Sequence, residues 1–128
     1  MSFINVNVKE AKPVEVLPEG RYQVRVVAAE EVTSSSGKPM LRLTIEATEY
    51  PYAEPIFHNV LLPTSDMPEK QVNLSLNNLK VLLVVFGVPF TDEGFNTEDF
   101  IGKIADVDIG IRSYDGRNFN QLKLPRSV

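Results

Sequence analysis

From residue 20 onward, apolar and polar positions alternate in three stretches that precede the only long helical pattern. In "GRYQVRVVAAEEV", Tyr22, Val24, Val26 and Ala28 fall on one side and Arg21, Gln23 and Arg25 on the other. A period of two sends successive side chains to opposite faces, so this stretch reads as a half-buried strand. After the loop "TSSSGKP", the segment "MLRLTIEATEY" resumes the alternation, with Leu41, Leu43, Ile45 and Ala47 inward and Arg42, Thr44 and Glu46 outward. "PYAEP" breaks the pattern, and "IFHNVLLP" supplies a third strand. Ahead of these, residues 1–19 hold the alternating "FINVNV" and are punctuated by Pro13 and Pro18. They read as a short edge strand or a disordered arm.

The pattern then changes period. In "QVNLSLNNLKVLLVVFGVP", Leu76, Leu79, Leu83 and Phe86 recur at helical spacing, flanked by Val72 and Leu82. Gly87 and Pro89 provide a left-handed cap and a residue that cannot continue the helix. "NTEDFIGK" reads as one helical turn, capped by Asn96 or Thr97 and stopped at Gly102. "IADVDIGIRSY" returns to alternation, with Val107, Ile109 and Ile111 inward and Asp106, Asp108, Gly110 and Arg112 outward. Asp115-Gly116 is the signature of a tight hairpin. It leads into a last strand with Arg117, Phe119, Gln121 and Lys123 on one face and Asn118, Asn120, Leu122 and Leu124 on the other. A one-residue slip would turn Phe119 into the core. Three meandering strands, a helix and a closing hairpin predict a mainly β fold, the five-stranded OB barrel with β-β-β-α-β-β order. Residues 1–19 would be its arm or edge strand and residues 20–128 the domain.

Composition narrows the possibilities. A chain of 128 residues suits one domain. The absence of cysteine removes disulfides and thiol chemistry and fits a reducing compartment. No basic stretch followed by an apolar run opens the chain, and the longest apolar run, "VLLVVF", falls far short of the roughly 20 residues of a membrane span. A soluble, cytoplasmic protein with no membrane partner is expected. The net charge of −4 is unevenly spread. Residues 91–108 carry Asp92, Glu93, Glu98, Asp99, Asp106 and Asp108 against Lys103, whereas residues 110–128 carry Arg112, Arg117, Lys123 and Arg126 against Asp115.

Catalytic chemistry finds little to work with. His58 is the single imidazole, on the face of Ile56 and Val60, and reads as a partly buried histidine. A transition-metal site wants several His or Cys ligands and one histidine does not supply them, so neither a metal nor a cofactor is expected. "SSSGKP" lacks the first glycine and the following Ser/Thr of a P-loop. Asp106 and Asp108 share a face but read as solvated charges. No enzyme is expected.

Binding of single strands, by contrast, needs aromatic faces for stacking, worth roughly 1–3 kcal/mol per base, and cations along the phosphates. The candidates are Arg42, Arg112, Tyr114, Arg117, Phe119 and Lys123, followed by Lys38 in the first loop and Tyr50 and Tyr52 in "YPYAEP". Each has a plainer use: Phe119 in the core, the tyrosines packing a turn, Arg112 and Arg117 paired with Asp108 or Asp115, and Lys38 as loop solubility.

The segments "LPEGRYQVRVVAAEEVTSSSGKPMLRLTIEA", "LNNLKVLLVVFGV" and "EDFIGKIADVDI…YDGRNFNQLKL" resemble a family of small phage-encoded proteins, formerly a domain of unknown function. Its members are regarded as OB-fold single-stranded DNA-binding or replication-accessory proteins. The resemblance spans about residues 16–124 and rests mostly on turn and core signals. One departure is the basic ending "KLPRSV", where many such binders carry an acidic, partner-recruiting tail. The resemblance implies a non-specific single-stranded DNA-binding protein of phage DNA replication or recombination, acting in the host cytoplasm. Its partners would be single-stranded DNA and replication or recombination proteins. Apart from the resemblance, the "FINVNV" stretch could pair with the sheet edge of a second copy. An OB-fold interaction module that binds no nucleic acid is the alternative, motivated by the acidic segment. A weaker third is an oligosaccharide binder using the same aromatics without the cations.

Overall fold

The computed structural model describes residues 2–128. The alternating stretches become β1 (Gly20–Thr33), β2 (Pro39–Ala47) and β3 (Ile56–Leu61). Helix α1 (Glu69–Phe86) follows, starting two residues before the periodic stretch, and then β4 (Ile104–Tyr114) and β5 (Arg117–Lys123). Every strand pairing is antiparallel, in the order β3-β2-β1-β4-β5. The ladders form one open sheet. Its two edge strands, β3 and β5, approach each other, but among the described residues no ladder joins them.

The length of β1 explains how five strands curl. Its first half pairs with β4 and its second half with β2, sharing Val24 and Arg25. The β1–β2 register shifts between Val26 and Ala28. There Val26 donates its N–H to the Lys103 carbonyl (3.0 Å) and accepts from the Gly102 N–H (2.8 Å). Such a bulge bends and twists a strand. It also corrects the predicted alternation: beyond Val26 it is Ala29, opposite Leu43, that packs on the core, while Ala28 turns to the other face.

The core lies between the concave sheet and α1. Val24, Val26, Leu41, Leu43, Ile45, Ile56, Val107 and Ile109 enter from the strands, and Leu79, Leu82, Leu83 and Phe86 from the helix. Phe100, in the 3₁₀ turn Thr97–Phe100, is fully buried and meets Phe86 and Phe95 edge-on at centroid distances of 6.4 and 5.9 Å. Gly87 ends α1 in the left-handed conformation, and the Val88 N–H donates to the Leu83 carbonyl (2.8 Å). Two more predicted core positions turn out otherwise. Leu76 is 51% exposed, its place on the buried stripe taken by Ser75, and Ile111 is 37% exposed because β4 outruns β1 there. No helix among the described residues is long and apolar enough to cross a membrane.

The N-terminal segment forms no strand ladder among the described residues, and Met1 lies outside them. After a 3₁₀ turn at Val8–Glu10, residues 15–19 track the open end of the sheet. The Glu15 N–H donates to the Tyr52 carbonyl and the Glu54 N–H to the Glu15 carbonyl, each at 2.9 Å. Leu17 is buried, and its backbone is gripped by the Asn120 side chain of β5. Its N–H donates to Asn120 Oδ1 (2.8 Å), and its carbonyl accepts from Asn120 Nδ2 (2.9 Å). A buried amide satisfied at both ends carries little desolvation penalty.

Candidate nucleic-acid interface

The Asp115-Gly116 turn has φ of 52° and 76°, the double left-handed conformation of a two-residue hairpin that follows the strands' twist. The register then sets the outer face of the hairpin: Arg112 opposite Phe119 and Tyr114 opposite Arg117. Residues directly opposite share a face, so four candidates converge at one tip. The guanidiniums of Arg112 and Arg117 lie 6.0 and 5.3 Å from the Phe119 ring centroid, within cation–π reach. Phe119 is half-buried under them, Asn120 is the buried neighbour, and Tyr114 stands 72% exposed. The predicted register of β5 therefore holds. Arg117 also reaches Glu54 Oε1 at 3.5 Å, which ties the hairpin to the turn that carries Tyr52. Neither Arg112 nor Arg117 pairs with Asp108 or Asp115 among the described residues.

Lys123, at the other end of β5, is committed elsewhere. Its ammonium lies 3.4 Å from Glu19 Oε2, and its stem runs across Gly110. A Cβ at Gly110 would sit 2.6 Å from Lys123 Cε, which explains why an outward-facing glycine is buried. Arg21 likewise pairs with Asp108 (3.2 Å) and donates to the Asp106 carbonyl.

A second cluster lies on the outer face of β2 and β3. Arg42 stands opposite Asn59 and donates from Nε to its Oδ1 (3.0 Å). Its guanidinium lies 6.0 Å from the centroid of Phe57, a ring 58% exposed. Phe57 is an exposed aromatic of this face that sequence reasoning missed. Its signal was present, since Ile56 and Val60 inward require Phe57 and Asn59 outward. Glu30 of β1 stands opposite Arg42 on the same face and lowers its local positive potential.

The remaining candidates are scattered. Tyr50 packs edge-on against Tyr22 at 5.4 Å, and the Tyr22 hydroxyl donates to the Pro18 carbonyl. Tyr52 is exposed and uses its carbonyl to hold Glu15. Lys38 lies past the Thr33 end of β1, opposite in the sheet to the hairpin, which projects past Gly20. It sits near Asp66, whose carboxyl is held below its usual range by the Thr64 hydroxyl first, then by its own backbone, with Lys38 adding a smaller share. His58 is half-buried at the seam between β3 and β5, and burial lowers its pKa. It lines a cleft of about 230 Å³ with Asn59, Asn78, Leu122 and Leu124. Among the described residues no group of three or more His, Cys, Asp or Glu could hold a metal ion.

These features sit in a chain whose residues 2–127 match the family described as "Protein of unknown function (DUF669)", and the chain belongs to that family. No curated protein matches the sequence.

Proposed function

We propose that the protein binds single-stranded DNA without sequence preference, stacking bases on Tyr114 and Phe119 and meeting phosphates with Arg112 and Arg117. The observation that carries this reading is the ring of Phe119 flanked by two arginines on an exposed hairpin tip. Aromatic faces interleaved with cations are what sequence-tolerant binding of single strands requires. The strand order, with β3 and β5 brought together, supports an OB barrel left unlaced along one seam. In such a barrel the β2–β3 face and the last hairpin flank the ligand, so Arg42 and Phe57 would continue the path. Lys123 drops to a minor role, being held by Glu19. The protein would protect or present a strand during phage DNA replication or recombination, in the host cytoplasm, and would catalyse nothing.

Fluorescence anisotropy with labelled oligo-dT of about 30 nucleotides, at low and moderate salt and with duplex as control, tests this. Tight binding to the single strand alone is expected, with a site size of about 4–16 nucleotides and a steep loss as salt rises. Binding indifferent to salt, or equal on duplex, would overturn it.

A second reading, an interaction module without nucleic-acid binding, is favoured by the three outer-face cations already paired with carboxylates, Arg21, Arg117 and Lys123. Absence of binding at low salt and high protein concentration would select it.

A further inference from the structure

We infer that the chain self-associates head to tail, the apolar arm of one copy docking on the acidic-rimmed groove beside α1 of the next. Two unsatisfied surfaces point to this. The first is the arm itself. Phe3 is 93% exposed, and Ile4, Val6 and Val8 are exposed with it. Among the described residues no hydrogen bond ties residues 2–14 to the rest of the fold; the first anchor is Glu15. Four large apolar side chains within six residues are not the composition of a solvated tail, which is poor in such groups.

The second surface is a groove of about 340 Å³ between α1 and the loop after it, floored by Leu76, Leu79, Leu83, Phe90 and Phe95. Leu76 and Phe90 are each about half exposed there. Asp92 and Glu93 form its rim, and an adjoining hollow of about 450 Å³ on the same loop reaches Asp99. Exposed apolar surface of this kind, edged by polar groups, marks an interaction site.

Charge selects the occupant. The rim carries Asp92, Glu93 and Asp99 against Lys80. The arm carries Lys9 and Lys12 against Glu10, just behind its apolar stretch. An apolar segment trailed by a net positive charge complements an apolar groove bordered by carboxylates. The arm does not fill its own groove, since Phe3 stands almost wholly in solvent. The contact is therefore between different surfaces of two copies. Passed in one direction from copy to copy, such a contact builds rings or filaments rather than a two-fold dimer.

The test needs no nucleic acid, so its outcome is separate from that of the binding reading. Sedimentation velocity of the full chain over a wide concentration range should show mass rising above the 14.3 kDa monomer. Phe3→Asp with Ile4→Asp breaks the arm, and Leu76→Asp with Phe90→Asp breaks the groove; all four positions are exposed, and circular dichroism checks the fold. Each variant alone should stay monomeric. Mixed in equal amounts, they should form a species of twice the chain mass that grows no further, because each retains the half the other lacks. A wild-type chain that stays monomeric throughout, association that survives either pair of substitutions, or a mixture that remains monomeric would overturn the inference.

Discussion

The two aromatic–arginine clusters on the outer surface are built from the same residue types and held in different ways. At the hairpin, Phe119 is covered by two guanidiniums from two strands, and one of these is drawn aside by Glu54. On the sheet face, Phe57 has one guanidinium, fixed by Asn59, and more than half its surface in water. The hairpin has more positive charge, and its phenylalanine is the less free of the two, beside an exposed Tyr114. The sheet face has the freer phenylalanine, with Glu30 opposing its one arginine. Proximity of an aromatic to a cation is thus not enough to rank two surfaces. What matters is how much of each group a ligand can still claim after the fold has used its share.

The sharpest way to separate the two regions acts through Asn120. Replacing it with leucine leaves the Leu17 N–H and carbonyl without partners, at about 1–3 kcal/mol for each buried group. Asn120→Leu should lower the unfolding midpoint by the largest amount of any change discussed. Hydrogen exchange should accelerate in residues 110–122 before residues 41–60; equal acceleration in both would mean the clamp does not serve the hairpin selectively. Next, if the protein binds single strands as proposed, Phe119→Ala should weaken oligo-dT binding roughly 5- to 150-fold, the span of one stacked base. Phe57→Ala should fall toward the lower end; if it costs more than Phe119→Ala, the sheet face is the principal platform. Glu54→Gln releases Arg117 from a half-exposed pair worth under about 1 kcal/mol. It should tighten binding by no more than about fivefold at low salt, and the gain should fade as salt rises.

The smallest expected effect concerns His58, at the seam between the regions. Burial disfavours its charged form, so its pKa in the folded chain lies below its ordinary 6.5. The unfolded chain therefore takes up its proton first. Stability should be unaffected by this group above its ordinary pKa, should decline as pH falls through 6.5, and should level off below the lowered value. Urea midpoints at pH 7.5 and 5.5 for the wild type and for His58→Gln would show this. The glutamine variant should lose part of the decline, and an identical decline would assign it to other groups.

The segments easiest to read in the sequence were those whose neighbours lie close along the chain. β2 alternates without exception, and the Asp115-Gly116 turn sets the register of β5, so Phe119 and Asn120 fall on the faces their spacing indicates. Contacts set by distant segments were hidden. The bulge at Val26 depends on Gly102 and Lys103, and nothing within "VRVVAAEE" announces it. Ile111 is exposed because β1 starts at Gly20 and leaves the end of β4 uncovered, a matter of strand length rather than pattern. Leu76 fits the helical period and still faces out, because the sheet covers only the stripe through Ser75, Leu79 and Leu82. At the candidate site, the residue types were legible and their ion pairs were not. Glu54 and Glu19 come from turns whose geometry no local pattern encodes.

The grip of Asn120 on Leu17 has a consequence for how the chain is made. The two residues are 103 positions apart, so a ribosome must deliver nearly all of the domain before this joint can close. Until then β1 has its partner β2 on one side and an unclaimed edge on the other, awaiting β4. Contacts that span so much sequence slow folding, because the entropy of closing the loop is lost before the joint returns anything. The nascent protein should accordingly spend its synthesis as a three-strand meander with an open edge. It would become resistant to proteases only once β5 clears the exit tunnel.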